Sequence, residues 1–230
     1  MSITFRGWAL LLLAVVLGFA VLHLAKFTGP WRLVPAILFP LVPLFALRAV
    51  TGRKIWAALF RPVSLSDVGL ALAIALLNIV VTFAIGALVT QVHSAAVSAN
   101  PAFAGLNHEG ISGRIWFFAV SVPQLLGEEI LTIVPFLALL TWFTNKLRVS
   151  RGRAIFCAWM LSALPFALAH LPTYQWNLVQ CLLIIGSARL VLSLAYLRTG
   201  NLLVCAMAHV LNDWILFGDG LWLSSFTQGV

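Results

Sequence analysis

The chain has 230 residues, of which 62% are hydrophobic and only 9% charged. A soluble globular protein carries about 25% charged residues, so a water-facing surface is excluded. The formal net charge of +8 is scattered through short loops between apolar runs, a placement that sets membrane orientation and excludes a nucleic-acid partner.

The expected fold is all-α, a polytopic membrane protein with about seven transmembrane helices, residues 1–230 forming a single integral-membrane domain. A spanning helix needs about 20 mostly apolar residues. Seven runs qualify, over 8–26, 34–50, 68–92, 114–144, 154–171, 177–198 and 200–217. The first follows Arg6 and is too long for the apolar region of a cleaved signal, so it reads as an uncleaved span. Pro40 and Pro43 should bend the second run and Pro165 the fifth, which membrane helices tolerate when neighbours re-satisfy the backbone. Between the second and third runs, Arg53 to Pro62 carries Ile55, Trp56, Leu59 and Phe60 on one helical face between basic residues, the pattern of an interfacial helix. The longer polar loop of residues 93–113 is expected to cap the opposite face, with His93 and His108 solvated. Cys157, Cys181 and Cys205 lie inside apolar runs without a CxxC pair and read as small buried apolar residues.

With the N-terminus inside, Arg6, Arg48, Arg53, Lys54, Arg61, Lys146, Arg148, Arg151, Arg153 and Arg198 face the cytoplasm, against Lys26, Arg32 and Arg114 outside. Basic residues favour cytoplasmic loops. The expected location is therefore a bacterial inner membrane with a cytoplasmic N-terminus, and lipid is an expected partner.

Of the six acidic residues, Glu128, Glu129 and Asp213 fall inside these spans. An ionisable group near a helix centre costs about 2.5–3.5 kcal/mol on insertion scales, so such groups face a cavity or a partner. His170 ends the fifth span, and His209 lies in the last one, with Asn212 and Asp213 a turn later. At 1.5 Å per residue, Glu129 and His170 both lie about 25 Å from the basic edge and His209 about 16 Å. Helix tilt covers the difference, so a common polar cavity formed by the C-terminal helices is permitted.

Adjacent helical residues point about 100° apart, so only one glutamate aims squarely at that centre. Thr132 is one turn beyond Glu128 on the same face, making Glu128 the candidate for chemistry and Glu129 its support, or the partner of another group. Hydrolysis suits the set. A carboxylate activates water, while imidazoles hold a metal or stabilise an oxyanion. His170, His209 and Glu128 with an open position would suit a divalent metal, zinc foremost, although no HExxH is present. Buried carboxylates and histidines also build proton or metal transporters. Those would spread them along a path between paired broken helices, whereas here they cluster at one level.

Glu128-Glu129, Phe166 to His170, and His209 to Asp213 follow the order of three motifs, EExxxR, FxxxH and HxxxN/D. In these the chain resembles the CPBP family of CAAX-processing, bacteriocin-processing and abortive-infection membrane proteases, over roughly residues 114–217 as a catalytic core. The resemblance implies an intramembrane endopeptidase acting on a membrane-associated, in some relatives prenylated, protein or peptide. It implies that Glu128 activates water and that His170, His209 and Asp213 complete the site as metal ligands or oxyanion holders, with Glu129 beside them. The sequence departs from the pattern at Ile133, where the motif has arginine. A membrane scaffold or immunity protein on the same fold is the alternative that this departure favours. Arg189, an intramembrane charge in the sixth run, is the candidate replacement, although its depth of about 13 Å falls well short of Glu129.

Overall fold

A computed structural model of the protein describes residues 3–92 and 97–227; His93 lies outside the described residues. Apolar runs in lipid must satisfy their backbone groups internally, and the described chain consists of helices joined by short connections, without strands. Its helices are α1 (Phe5–Leu24), a 3-10 turn (Gly29–Arg32), α2 (Leu33–Leu59), α3 (Leu65–Val92), the short α4 (Pro101–His108), α5 (Ile111–Asn145), α6 (Arg151–Ala169), a π-helical segment (Gln180–Ile185), α7 (Gly186–Thr199) and α8 (Leu202–Thr227). Among the described residues, seven helices are long and apolar enough to cross a membrane, one for each expected run.

Local chemistry sets the breaks. The Thr4 hydroxyl caps α1 by accepting from the Gly7 N–H at 3.2 Å, and Asn100 caps α4 through the Ala102 N–H at 3.0 Å. Gly200 ends α7 at φ 64°, in the left-handed region that glycine reaches most cheaply. Gly52 at φ 71° interrupts α2 and splits off residues 53–59. This short piece is the expected amphipathic segment. Its Leu59 is buried, and Ile55, Trp56 and Phe60 pack partly buried against the core. α2, α5 and α6 run through their internal prolines without a break.

Close approaches position α5, the helix carrying both glutamates. A methyl group on Gly18 of α1 would lie 2.5 Å from the Phe39 carbonyl oxygen of α2, and one on Gly127 of α5 only 2.3 Å from the Phe39 ring. The wholly buried Phe39 therefore sits between α1 and α5, immediately before the acidic pair. On the other side α3 packs against α7 and α8. At the end of the bundle away from Lys146 and Arg198, Gln180 clamps the backbone of Ser98 with bonds of 2.9 and 2.8 Å. There Phe103 of α4 also stacks on Phe217 of α8 at 4.5 Å.

Cys157 and Cys205 depart from expectation, while Cys181 meets it. Cys157 is exposed, while Cys181 and Cys205 are buried, and Cys205 belongs to a polar cluster. An apolar run in a membrane protein has a lipid-facing side as well as a buried one, so apolar surroundings in sequence do not imply burial.

Candidate active site

The carboxylates of Glu128 and Glu129 diverge, as adjacent helical positions must. Glu129 is fully buried and faces Arg189 of α7, which donates from Nη1 to Oε1 at 2.6 Å and from Nη2 to Oε2 at 2.9 Å. The Cys205 thiol of α8 donates to Oε2 at 2.6 Å. His209 Nδ1 lies 2.8 Å from Oε1. The Phe166 ring covers the guanidinium, 5.1 Å from its carbon, a cation–π contact in a desolvated setting. One carboxylate thus joins α5, α7 and α8, with α6 closing over it.

Arg189 therefore supplies the charge that the sequence lacks at position 133. The depth count misjudged it because α5 has 35 residues, about 52 Å at 1.5 Å per residue, and overhangs a hydrocarbon layer of about 30 Å. Distances measured from its end overstate depth. Ile133 is 3% exposed and lines a small apolar gap with Ile3, Trp8, Leu44 and Leu59.

Glu128 turns the other way, into a cavity of about 480 Å³ that His170, His209 and Asp213 also line. Its Oε2 is 3.9 Å from His209 Nε2, and Asp213 Oδ1 is 3.7 Å from the same nitrogen. Gln124, one turn earlier, donates to Glu128 Oε1 at 3.2 Å. Both histidines are oriented from behind. His170 Nδ1 is 2.8 Å from the Phe166 carbonyl and His209 Nδ1 faces the Arg189-paired carboxylate of Glu129. Both partners are acceptors, so each Nδ1 carries the proton and each Nε2 remains for other partners. The Phe and His of FxxxH are thus one unit: the phenylalanine supplies the carbonyl that fixes the histidine and the ring that covers Arg189.

Thr132 does not join the cavity. Its hydroxyl bonds back to the Glu128 carbonyl at 3.3 Å, the usual outlet for a buried helical threonine. Nor is the cavity built from C-terminal helices alone, since Arg32, Asn78 and Thr82 line it as well. Asn78 of α3 donates to Asn212 Oδ1 at 2.9 Å, and Asn212 donates to Asp213 Oδ1 at 2.9 Å. Burial, reinforced by the charge of Asp213, pushes the Tyr174 phenol up to about 12, so it lines the cavity as a hydroxyl. Sequence reasoning passed over Gln124, Asn78 and Tyr174. A polar residue one turn before Glu128 and a lone amide in an apolar run were the available signals. Among the described residues no three His, Cys, Asp or Glu side chains are arranged to hold a metal ion.

Residues 111–215 match the family model described as type II CAAX prenyl endopeptidase Rce1-like. The match is consistent with the resemblance to the CPBP family. The matched segment starts with α5 and reaches into α8, close to the expected core of residues 114–217, and includes Glu128, Glu129, His170, Arg189, His209 and Asp213. It supports an intramembrane endopeptidase in general terms. No curated protein and no solved structure matches the chain.

Proposed function

We propose that the cavity hydrolyses a peptide bond of a membrane-associated protein or peptide, with Glu128 as the general base. The carrying observation is the convergence of Glu128 Oε2 and Asp213 Oδ1 on His209 Nε2, at 3.9 and 3.7 Å, in a cavity that His170 also lines. A water held there loses a proton to Glu128 as its oxygen attacks the substrate carbonyl carbon. His170 and His209, when protonated at Nε2, donate to the oxyanion that forms. Glu128 then returns the proton to the amide nitrogen as the C–N bond breaks, leaving a carboxylic acid and an amine.

Glu129 does not share that role. Arg189, His209 and Cys205 occupy its oxygens, and it acts through His209 by fixing the ring. Asp213 flanks Nε2 from one turn further on. The positive-inside bias supports a cytoplasmic N-terminus. Helix order then opens the cavity, which Arg32, Asn100 and Thr173 help to line, toward the opposite side.

The test is cleavage of quenched fluorescent peptides by the full chain in detergent micelles. Glu128→Gln should lower turnover about 10²–10⁴-fold, the usual weight of a positioned base, with an unchanged melting temperature. Equal turnover by both proteins would remove Glu128 from the reaction.

A further inference from the structure

Asn78 and Thr82 lie on α3, outside the matched segment, and line the cavity beside the candidate site. Asn78 is 1% exposed. Its Nδ2 is committed to Asn212, but its Oδ1 is buried without a hydrogen-bond partner, and so is the Thr82 hydroxyl. Buried polar atoms in folded proteins nearly always have a partner. Two that lack one, on the wall of a single cavity, point to a partner that arrives from outside. Trp116 Nε1, on the α5 wall of the same cavity, is a third.

The spacing identifies the partner's chemistry. Asn78 and Thr82 are one helical turn apart on one face, about 6 Å along the axis. An extended peptide presents backbone groups on one edge every second residue, about 6.6 Å apart. An acceptor and a hydroxyl at this separation match consecutive edge groups of such a strand. The Asn78 end is joined through Asn212 to Asp213, so that end lies beside the reacting groups and Thr82 lies further from them.

We propose that α3 provides a peptide-binding edge for the candidate site. Both atoms are shut off in the unbound protein, and on binding the two side chains turn into the cavity they line: Asn78 Oδ1 accepts a backbone N–H of the bound peptide next to the reacting carbonyl, and the Thr82 hydroxyl pairs with the backbone two residues further along. The edge rests on the peptidase reading for its purpose. Its ligand, an extended peptide backbone, can be tested separately.

The probe is the tightest-binding member of a fluorescein-labelled octapeptide library, measured by anisotropy on full-length Glu128→Gln protein in micelles. Thr82→Val and Asn78→Leu on that background should each weaken binding about five- to tenfold, and Thr82→Ser should restore it, the usual effect of one hydrogen bond. Replacing successive amides of the probe by esters should reveal one position whose loss of N–H weakens binding to the Asn78 protein but makes no difference to Asn78→Leu. Unchanged affinity in both α3 variants, additive ester and Asn78 effects at every position, or no binding octapeptide at all would each overturn the edge. Cleavage by the wild type with KM unmoved by either α3 variant would overturn it while leaving the peptidase reading intact. Ester-dependent binding without cleavage by the wild type would uphold the edge and overturn the peptidase reading.

Discussion

Arg189→Met tests whether the arginine on α7 does the work that position 133 cannot. The substitution keeps a long side chain in the same space and removes the charge. Both members of the ion pair are wholly excluded from solvent and meet through two bonds of 2.6 and 2.9 Å. Removing one partner of such a pair costs about 3–5 kcal/mol, because the survivor is left buried and uncompensated. Glu129 would retain His209 Nδ1 at 2.8 Å and Cys205 Sγ at 2.6 Å, which places the loss at the lower end, about 3 kcal/mol. In a chain of this size that corresponds to a fall in melting temperature of about 6–12 °C. Thermal unfolding in micelles, followed by light scattering, reads it directly. The double variant Glu129→Gln with Arg189→Met removes both charges and should recover most of the loss, since contacting residues are not additive. A melting temperature for Arg189→Met within about 2 °C of the wild type, or a double variant showing the sum of the single losses, would refute the compensation argument.

Gly127→Ala should destabilise by about 1–3 kcal/mol, the range for overpacking a filled core, because its methyl group would sit 2.3 Å from the Phe39 ring. Gly69→Ala, with open space around the added carbon, should not destabilise in the same melts, and equal losses would show that the packing at Phe39 is irrelevant. Asn212→Leu breaks the bonds to both Asn78 and Asp213. It should cost about 1–3 kcal/mol for the stranded buried amide and lower peptide turnover through the released Asp213. A variant that melts and turns over like the wild type would remove this link from the site.

What could be read in advance follows the energetics of the bilayer. The seven spans were legible because hydrocarbon thickness fixes their length and forbids unpaired backbone. Glu128, Glu129, His209 and Asp213 stood out because a charge in such a run demands a reason. Asn78 did not, since one amide in the 28-residue α3 barely changes its apolarity, and only the neighbouring helices reveal what it touches. Cys205 was misread for a different reason. A thiol is apolar enough to vanish in a hydrophobic run yet still donates a bond when a carboxylate lies 2.6 Å away. Arg189 was visible as an orphan charge, but its partner could be fixed only once the overhang of α5 was known.

The relocated arginine also explains why two adjacent glutamates do different work. A motif arginine at position 133 would sit on the same helix as the pair and would compensate the charge without joining anything else. Supplied from α7 instead, the charge ties α7 to α5, and Glu129 hands the constraint on to α8 through Cys205 and His209. Position 133 is then free to be apolar, and Ile133 lines the apolar gap with Ile3, Trp8 and Leu44. Every oxygen of Glu129 is occupied in the process. Glu128, with one 3.2 Å bond from Gln124 and a side chain 12% exposed to the cavity, is the carboxylate left with capacity to accept a proton. The division follows from helix geometry. At about 100° between neighbours, a carboxylate turned toward Arg189 cannot also face the cavity, so the proposed role of general base falls to the one beside it.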